Sequence, residues 1–217
     1  MSARNDYSWQ YQVGISEHNT VVVQAPEKSG KTFLCRDRII EFINSEEPGS
    51  NILYFSPKKG EASRVAHTVE ILLNRREIEC SLSRNGVYIT EDQNLDTAVY
   101  APMSHEALAH LLDSGTKFQR IIIDNAEAVH NTLLWTMTYK AKIDDAKLLV
   151  IGGEEDGENG NRKQIMTWLM NHPCTDAFKV HGPQLGFCTA PDTIVKGTEE
   201  FMNRIREMLK KPEVAVA

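Results

Sequence analysis

The chain has 217 residues, 41% of them hydrophobic and 25% charged, with a formal charge of −6 at neutral pH. That length supports one good core and one domain, and no apolar run approaches the length of a membrane span. The acidic balance excludes a protein that coats nucleic acid with its whole surface, though not one that grips it through a local basic patch or a partner.

Residues 1–19 are polar, with aromatic points at Tyr7, Trp9 and Tyr11. Residues 20–24, rich in Val, predict a buried strand. Residues 32–44 predict a helix whose apolar face includes Phe33, Leu34, Ile39, Ile40 and Phe42, stopped by Pro48-Gly49. A strand follows over 51–56, then a helix over 61–75. Residues 80–90 alternate around Arg84-Asn85-Gly86, and Asn-Gly is a strong hairpin signal. A short strand at 97–101 and a short helix at 105–112 lead to Ile121-Ile122-Ile123-Asp124, a buried strand that ends in an acid. A helix over 127–141 precedes a buried strand at 147–151 and then Gly152-Gly153. The polar loop 154–161 opens a helix at 162–170, with a last strand expected at 178–181 and a charged helix at 199–210. Cys35, Cys80, Cys174 and Cys188 form no C-x-x-C pair, which points to free thiols in a reducing compartment rather than disulfides or zinc. A cytoplasmic location is the expectation, the host cytoplasm if the protein is viral.

Strands alternating with helices imply a mostly parallel sheet covered on both faces, an α/β fold. Ligands of such sheets gather at the carboxyl ends of the strands. Ala25-Pro26-Glu27-Lys28-Ser29-Gly30-Lys31-Thr32 stands at such an end, between the first strand and the first helix. It follows the pattern G-x-x-x-x-G-K-[ST], with Ala25 in the first position. Backbone amides of such a loop cradle a polyphosphate tail; Lys31 would meet the β- and γ-phosphates and Thr32 would offer a hydroxyl to Mg²⁺. ATP with Mg²⁺ is therefore the expected cofactor pair.

A magnesium site needs a carboxylate, and Asp124 ends a buried strand downstream. The same residues also fit a helix N-cap, with Glu127 three positions after Asp124 completing a capping-box variant. The position after the Asp normally carries a Glu that activates water, but here it is Asn125, and an amide accepts no proton. Glu127 is the nearest acid and a candidate for that role. Lys28 is a second lysine in the loop that could touch the γ-phosphate or simply face solvent. Gln10 and Gln12 lie upstream beside aromatics, where an amide can read adenine through both its donor and its acceptor. Lys58, Lys59 and Arg64 are candidates for nucleic-acid backbone contact. The acid run Glu154, Glu155, Asp156 and Glu158 reads as a solvated loop.

The ordered set of motifs resembles the nucleotide-binding lobe of superfamily 2 helicases and of phage terminase large subunits. It runs through Tyr11-Gln12, the phosphate loop, Ile52-Leu53-Tyr54-Phe55-Ser56-Pro57, Ile121 to Glu127, and Leu148 to Gly153. The resemblance implies a single RecA-like P-loop NTPase domain over 20–181, preceded by an adenine-contacting segment at 1–19 and followed by an extension at 182–217. A helicase needs two such lobes and these residues form one, which favours the terminase. The loop 157–161 and the helix bearing Trp168 are also similar to the terminase pattern. What this implies is an ATP-hydrolysing subunit that packages double-stranded viral DNA, working as a homo-oligomeric ring or with a partner protein. The departures are the missing cis-arginine of the loop, Asn125 for the catalytic Glu, Gly152-Gly153-Glu154 at the coupling motif, and no nuclease-type acid cluster. They leave open a helicase-type lobe that acts with a partner, and a degenerate nucleotide-binding module that regulates or scaffolds an assembly.

Overall fold

The computed structural model describes residues 9–27, 29–45, 50–75, 77–83, 86–91, 95–153 and 163–180. In chain order the elements are α1 (Trp9–Gly14), β1 (Thr20–Gln24), α2 (Lys31–Ser45), β2 (Asn51–Phe55), α3 (Glu61–Asn74), β3 (Cys80–Ser83) and β4 (Gly86–Glu91). They continue with β5 (Leu95–Tyr100), α4 (His105–Asp113), β6 (Arg120–Ile123), a 3-10 turn (Ala126–Ala128), α5 (Asn131–Asp144), β7 (Lys147–Gly152), α6 (Lys163–Asn171) and β8 (Thr175–Lys179).

One sheet runs in the order β3-β4-β5-β2-β6-β7-β1-β8. The six strands from β5 to β8 are parallel, and the β3–β4 hairpin extends the β5 edge antiparallel. The central strands show no polar–apolar alternation because helices cover both faces. Val22, Val23, Leu53, Ile122 and Ile151 are all fully buried.

Alternate residues of each central strand feed two cores. Val21, Val23, Ile122 and Ile151 pack with α1, α2 and α3 on one face. Val22, Ile121, Ile123 and Val150 pack with α4, α5, α6 and the 3-10 turn on the other. The fold is thus the parallel α/β lobe that the alternation of elements implies.

Three elements differ from the sequence expectation. Residues 9–14 are helical: Trp9 and Val13, one turn apart, bury in the first core. That helix is too short for its period to show in the sequence. The helix expected from residue 127 begins at Asn131 instead, because Asn125 turns left-handed, residues 126–128 close a 3-10 turn and Val129 is extended. His130 then caps α5, its ring Nδ1 accepting from the Thr132 amide at 3.3 Å. The last strand starts at Thr175, earlier than expected, in register with Thr20. Its half-exposed Thr-Asp-Ala-Phe-Lys sequence reads as a weak strand until an edge is known to be available. Tyr7, the Arg84-Asn85 turn, the loop 154–161, His181 and the expected helix at 199–210 lie outside the described residues, as does the whole of 182–217. Among the described residues no helix is long and apolar enough to cross a membrane.

Candidate functional site

β1 ends at Gln24 and the chain bends at once into α2. The Ala25 amide donates to the Gly152 carbonyl at 3.0 Å, which ties the start of the loop to the end of β7. Gly30 has φ 90°, a left-handed conformation that explains the glycine. Its carbonyl accepts from the Leu34 amide at 3.0 Å, forming the first turn of α2. Lys31 is buried, and its Nζ donates back to the carbonyls of Ala25 and Pro26, each at 2.9 Å. Ser29 is fully buried, and its hydroxyl finds no partner among the described residues. Glu27 is exposed, and Lys28 lies outside the described residues.

The next turn of the site spans the sheet. β7 lies between β1 and β6, yet the Thr32 hydroxyl donates to Asp124 Oδ2 at 2.8 Å. The Tyr54 hydroxyl donates to the same oxygen at 3.1 Å, and the Asn125 amide donates to Oδ1 at 2.9 Å. Asp124 is fully buried. Burial pushes its carboxyl above the ordinary value, the three donated hydrogen bonds work against that, and nearby Glu61 adds to it. Burial, then the Asp124 charge, raises the Tyr54 phenol and the Cys35 thiol as well, so Tyr54 stays a neutral donor to the carboxylate and Cys35 a neutral, buried thiol near it.

Asn125 sits at φ 54°, ψ 45°, and its Nδ2 donates to Ser56 Oγ at 3.0 Å. Glu127 points elsewhere: its Oε2 accepts from the Gly153 amide at 2.7 Å. The capping box is therefore not formed. The Asp124 carboxylate is turned to Thr32, Tyr54 and its own neighbour, and Glu127 is held at the end of β7. The two glycines make that approach possible, since a Cβ on Gly153 would come within 3.1 Å of Glu127 Oε1 and one on Gly152 within 3.3 Å of Glu127 Oε2.

From α1, Gln10 Nε2 reaches toward the Gly30 carbonyl at 3.5 Å; Gln12 lies on the same short helix, half-buried. Arg64 is paired with Glu61 on its own helix at 2.7 Å, while Lys58 and Lys59 are exposed. Among the described residues no group of three or more His, Cys, Asp and Glu is placed to hold a metal ion. The acid run at 154–158 lies outside them. Tyr54 is the site residue that motif reading missed. Its signal was a single hydroxyl inside an otherwise apolar buried strand, where a phenol needs a partner.

A glycine-bent loop between a strand and a helix, joined to a carboxylate strand one strand removed, defines a P-loop nucleoside-triphosphatase fold. Within that class the fold is the one found in phage large terminases. The ATPase domain of the Thermus phage P74-26 large terminase superposes with a TM-score of 0.63 at 17% identity, over 96% of this chain and 89% of that one. The large terminase of the thermophilic bacteriophage D6E, in complex with ATP-γ-S, gives 0.57 at 13% identity over 94% of this chain and 49% of that one. The HK97 bacteriophage large terminase gives 0.59 at 14% identity over 88% and 44%. The chain thus spans most of an isolated terminase ATPase domain and about half of the longer terminase chains. No protein-family model matches the sequence, and no curated protein is detectably similar to it.

Proposed function

We propose that this chain binds Mg·ATP at the β1–α2 loop and acts as a terminase-like motor ATPase that moves double-stranded viral DNA, in a homo-oligomeric ring or with a partner protein. The observation that carries this reading is the Thr32–Asp124 hydrogen bond of 2.8 Å. It joins the residue that follows the phosphate-loop lysine to a buried carboxylate across the sheet. Both groups are hard oxygen donors, the kind Mg²⁺ takes, and the desolvated carboxylate gains from a nearby cation. Thr32 and Asp124 would hold the ion directly or through its waters, and the bound ion would neutralise charge on the phosphates.

Lys31 stands ready to exchange its two loop carbonyls for phosphate oxygens, and the orphaned Ser29 hydroxyl offers a further donor in the same loop. Gln10 would contribute from α1, near the Gly30 carbonyl. Glu127 is the acid available to orient water, provided it leaves the Gly153 amide; Gly153 would in turn register that release at the end of β7. A binding module without turnover is favoured by one specific feature, the Asn125 side chain committed to Ser56 where a catalytic acid would stand.

Calorimetry with Mg·ATP and phosphate release with and without duplex DNA test both. The expected result is saturable binding, DNA-stimulated release, and loss of both in Lys31→Ala. Binding without any turnover above the Lys31→Ala level selects the module, and the absence of binding removes both readings.

A further inference from the structure

α5 is apolar on more than one side. Leu134, Met137 and Ala141 are buried in the second core. Trp135, Tyr139 and Ile143, at i, i+4 and i+8, form another stripe turned to the surface, 44%, 65% and 61% exposed. Among the exposed residues of this helix only Lys142 carries a charge. A helix at a water-facing surface keeps one apolar stripe and places charges opposite; a helix that is apolar on both sides is one covered on both.

α6 enlarges the patch. The Trp168 ring, 44% exposed, lies against Trp135 with centroids 4.7 Å apart, and the His172 ring lies 4.7 Å from Trp168. Single apolar side chains at a surface are ordinary, but a contiguous run contributed by two helices marks an interaction site. Its aromatic members already rest on one another, so little rotamer freedom is lost when something covers them.

The chain itself carries a matching segment. α6 leads into β8, and the described residues end at Val180, whose amide donates to the Gln24 carbonyl at 2.8 Å. Residues 182–198 contain Gly182, Pro183, Gly186, Pro191 and Gly197, which interrupt helix and strand patterns. Phe201, Met202, Ile205, Met208 and Leu209 then follow at helical spacing on one face. Glu199 and Glu200 stand at the start of that pattern, with Lys210 and Lys211 at its end before Pro212, the signs and the stop that a helix favours. A lone helix cannot bury its own apolar stripe and needs another element to cover it.

We propose that residues 199–210 dock in cis on the α5–α6 face, with Phe201, Ile205 and Met208 against Trp135, Tyr139 and Trp168. The stretch from Val180 to Phe201 reaches roughly 70 Å when extended, enough to cross the lobe. Methionine sulfur packs well against aromatic rings, and the polar residues of the segment stay in water. The tether supplies an effective concentration of about a millimolar, which favours this occupant over a second copy of the chain.

The test is fluorine NMR on the full chain labelled with fluorotryptophan. The three tryptophans are Trp9, Trp135 and Trp168, and their lines are assigned with Trp135→Phe and Trp168→Phe. Ile205→Asp should move the Trp135 and Trp168 lines and enlarge their shift on transfer to deuterated water, which reports solvent contact. The Trp9 line, from the other core, should stay in place and so shows that the lobe is folded. Phe201→Asp gives the same reading should Ile205→Asp disturb Trp9. Asn203→Asp adds the same charge on the opposite side of the segment and should leave all three lines unmoved. Trp135 and Trp168 lines that are indifferent to Ile205→Asp and Phe201→Asp, or that respond equally to Asn203→Asp, overturn the proposal. Shielding that grows with protein concentration and survives Ile205→Asp overturns it in favour of a second copy.

Discussion

Asn125 occupies a left-handed backbone conformation at φ 54°, where Asn is tolerated and most side chains are strained. The sequence reading sees only a Glu replaced by an amide. The structure adds that the position constrains the backbone and that the amide is bound to Ser56. Asn125→Ala and Asn125→Gly both lose that bond, but only Ala pays for the conformation. Chemical denaturation should find the Ala variant less stable than the Gly variant by about 1 kcal/mol. The reverse order would mean that the dihedral is not what the site selects. For the same reason Asn125→Glu is no simple restoration of a catalytic acid, since a longer side chain enters the strained region and gives up Ser56.

Asp124 carries the second residue-scale consequence. Its folded-state carboxyl titrates above the unfolded value of 3.8, chiefly through burial. The folded protein therefore holds a proton more tightly than the unfolded chain. This group's contribution is most favourable below the unfolded value and is lost as pH rises through the raised one. At neutral pH the charged carboxylate is a burden on stability that the site retains. Asp124→Asn should shift the melting temperature upward relative to the parent more at pH 7.5 than at pH 4.5, and should abolish Mg·ATP binding. A difference in melting temperature that is flat with pH would contradict the assignment.

At the scale of elements, α1 has two tasks. Trp9 and Val13 anchor it in the first core, and Gln10 faces the phosphate loop. Trp9→Ala should cost about 3 kcal/mol by denaturation and weaken nucleotide binding with it. Gln10→Ala should weaken binding at nearly unchanged stability. If Trp9→Ala left affinity intact, α1 would be a packing element alone.

The central parallel strands β1, β2, β6 and β7 and their order of appearance were legible because each is a short apolar run closed by turn residues, and so was the phosphate loop; the edge strand β8, with its half-exposed Thr-Asp-Ala-Phe-Lys, was legible only at its end. The hairpin was legible from Asn85-Gly86, and β4 does pair antiparallel with β3 and β5. The first turn of α5 was not legible. The apolar pattern runs through 126–134, and the left-handed Asn125 and the extended Val129 and His130 break the helix there. Neither was α1, whose helical character depends on a core to bury Trp9. Within the site, Thr32 and Asp124 could be paired from motifs. The roles of Tyr54 and of Gly153 depend on which strands are neighbours, and strand order is not written in any local stretch of sequence.

For the whole molecule, a ligand that binds only the folded state raises stability by mass action. Mg·ATP at a hundred times its dissociation constant should add about 2.7 kcal/mol, read as an upward shift in melting temperature that Lys31→Ala abolishes. No shift at saturating nucleotide would contradict the proposed site. The two cores on either face are built from the same strands, so the transition should remain a single cooperative step.

β7 runs between the phosphate-loop strand and the carboxylate strand. Its last residue and the one after it hold both sides, the Gly152 carbonyl receiving the Ala25 amide and the Gly153 amide serving Glu127. That strand end works as a common hinge pin: a displacement there changes the cradle and the acid together, and neither can be retuned alone. Paired substitutions on the two sides should therefore combine non-additively, although their side chains never meet.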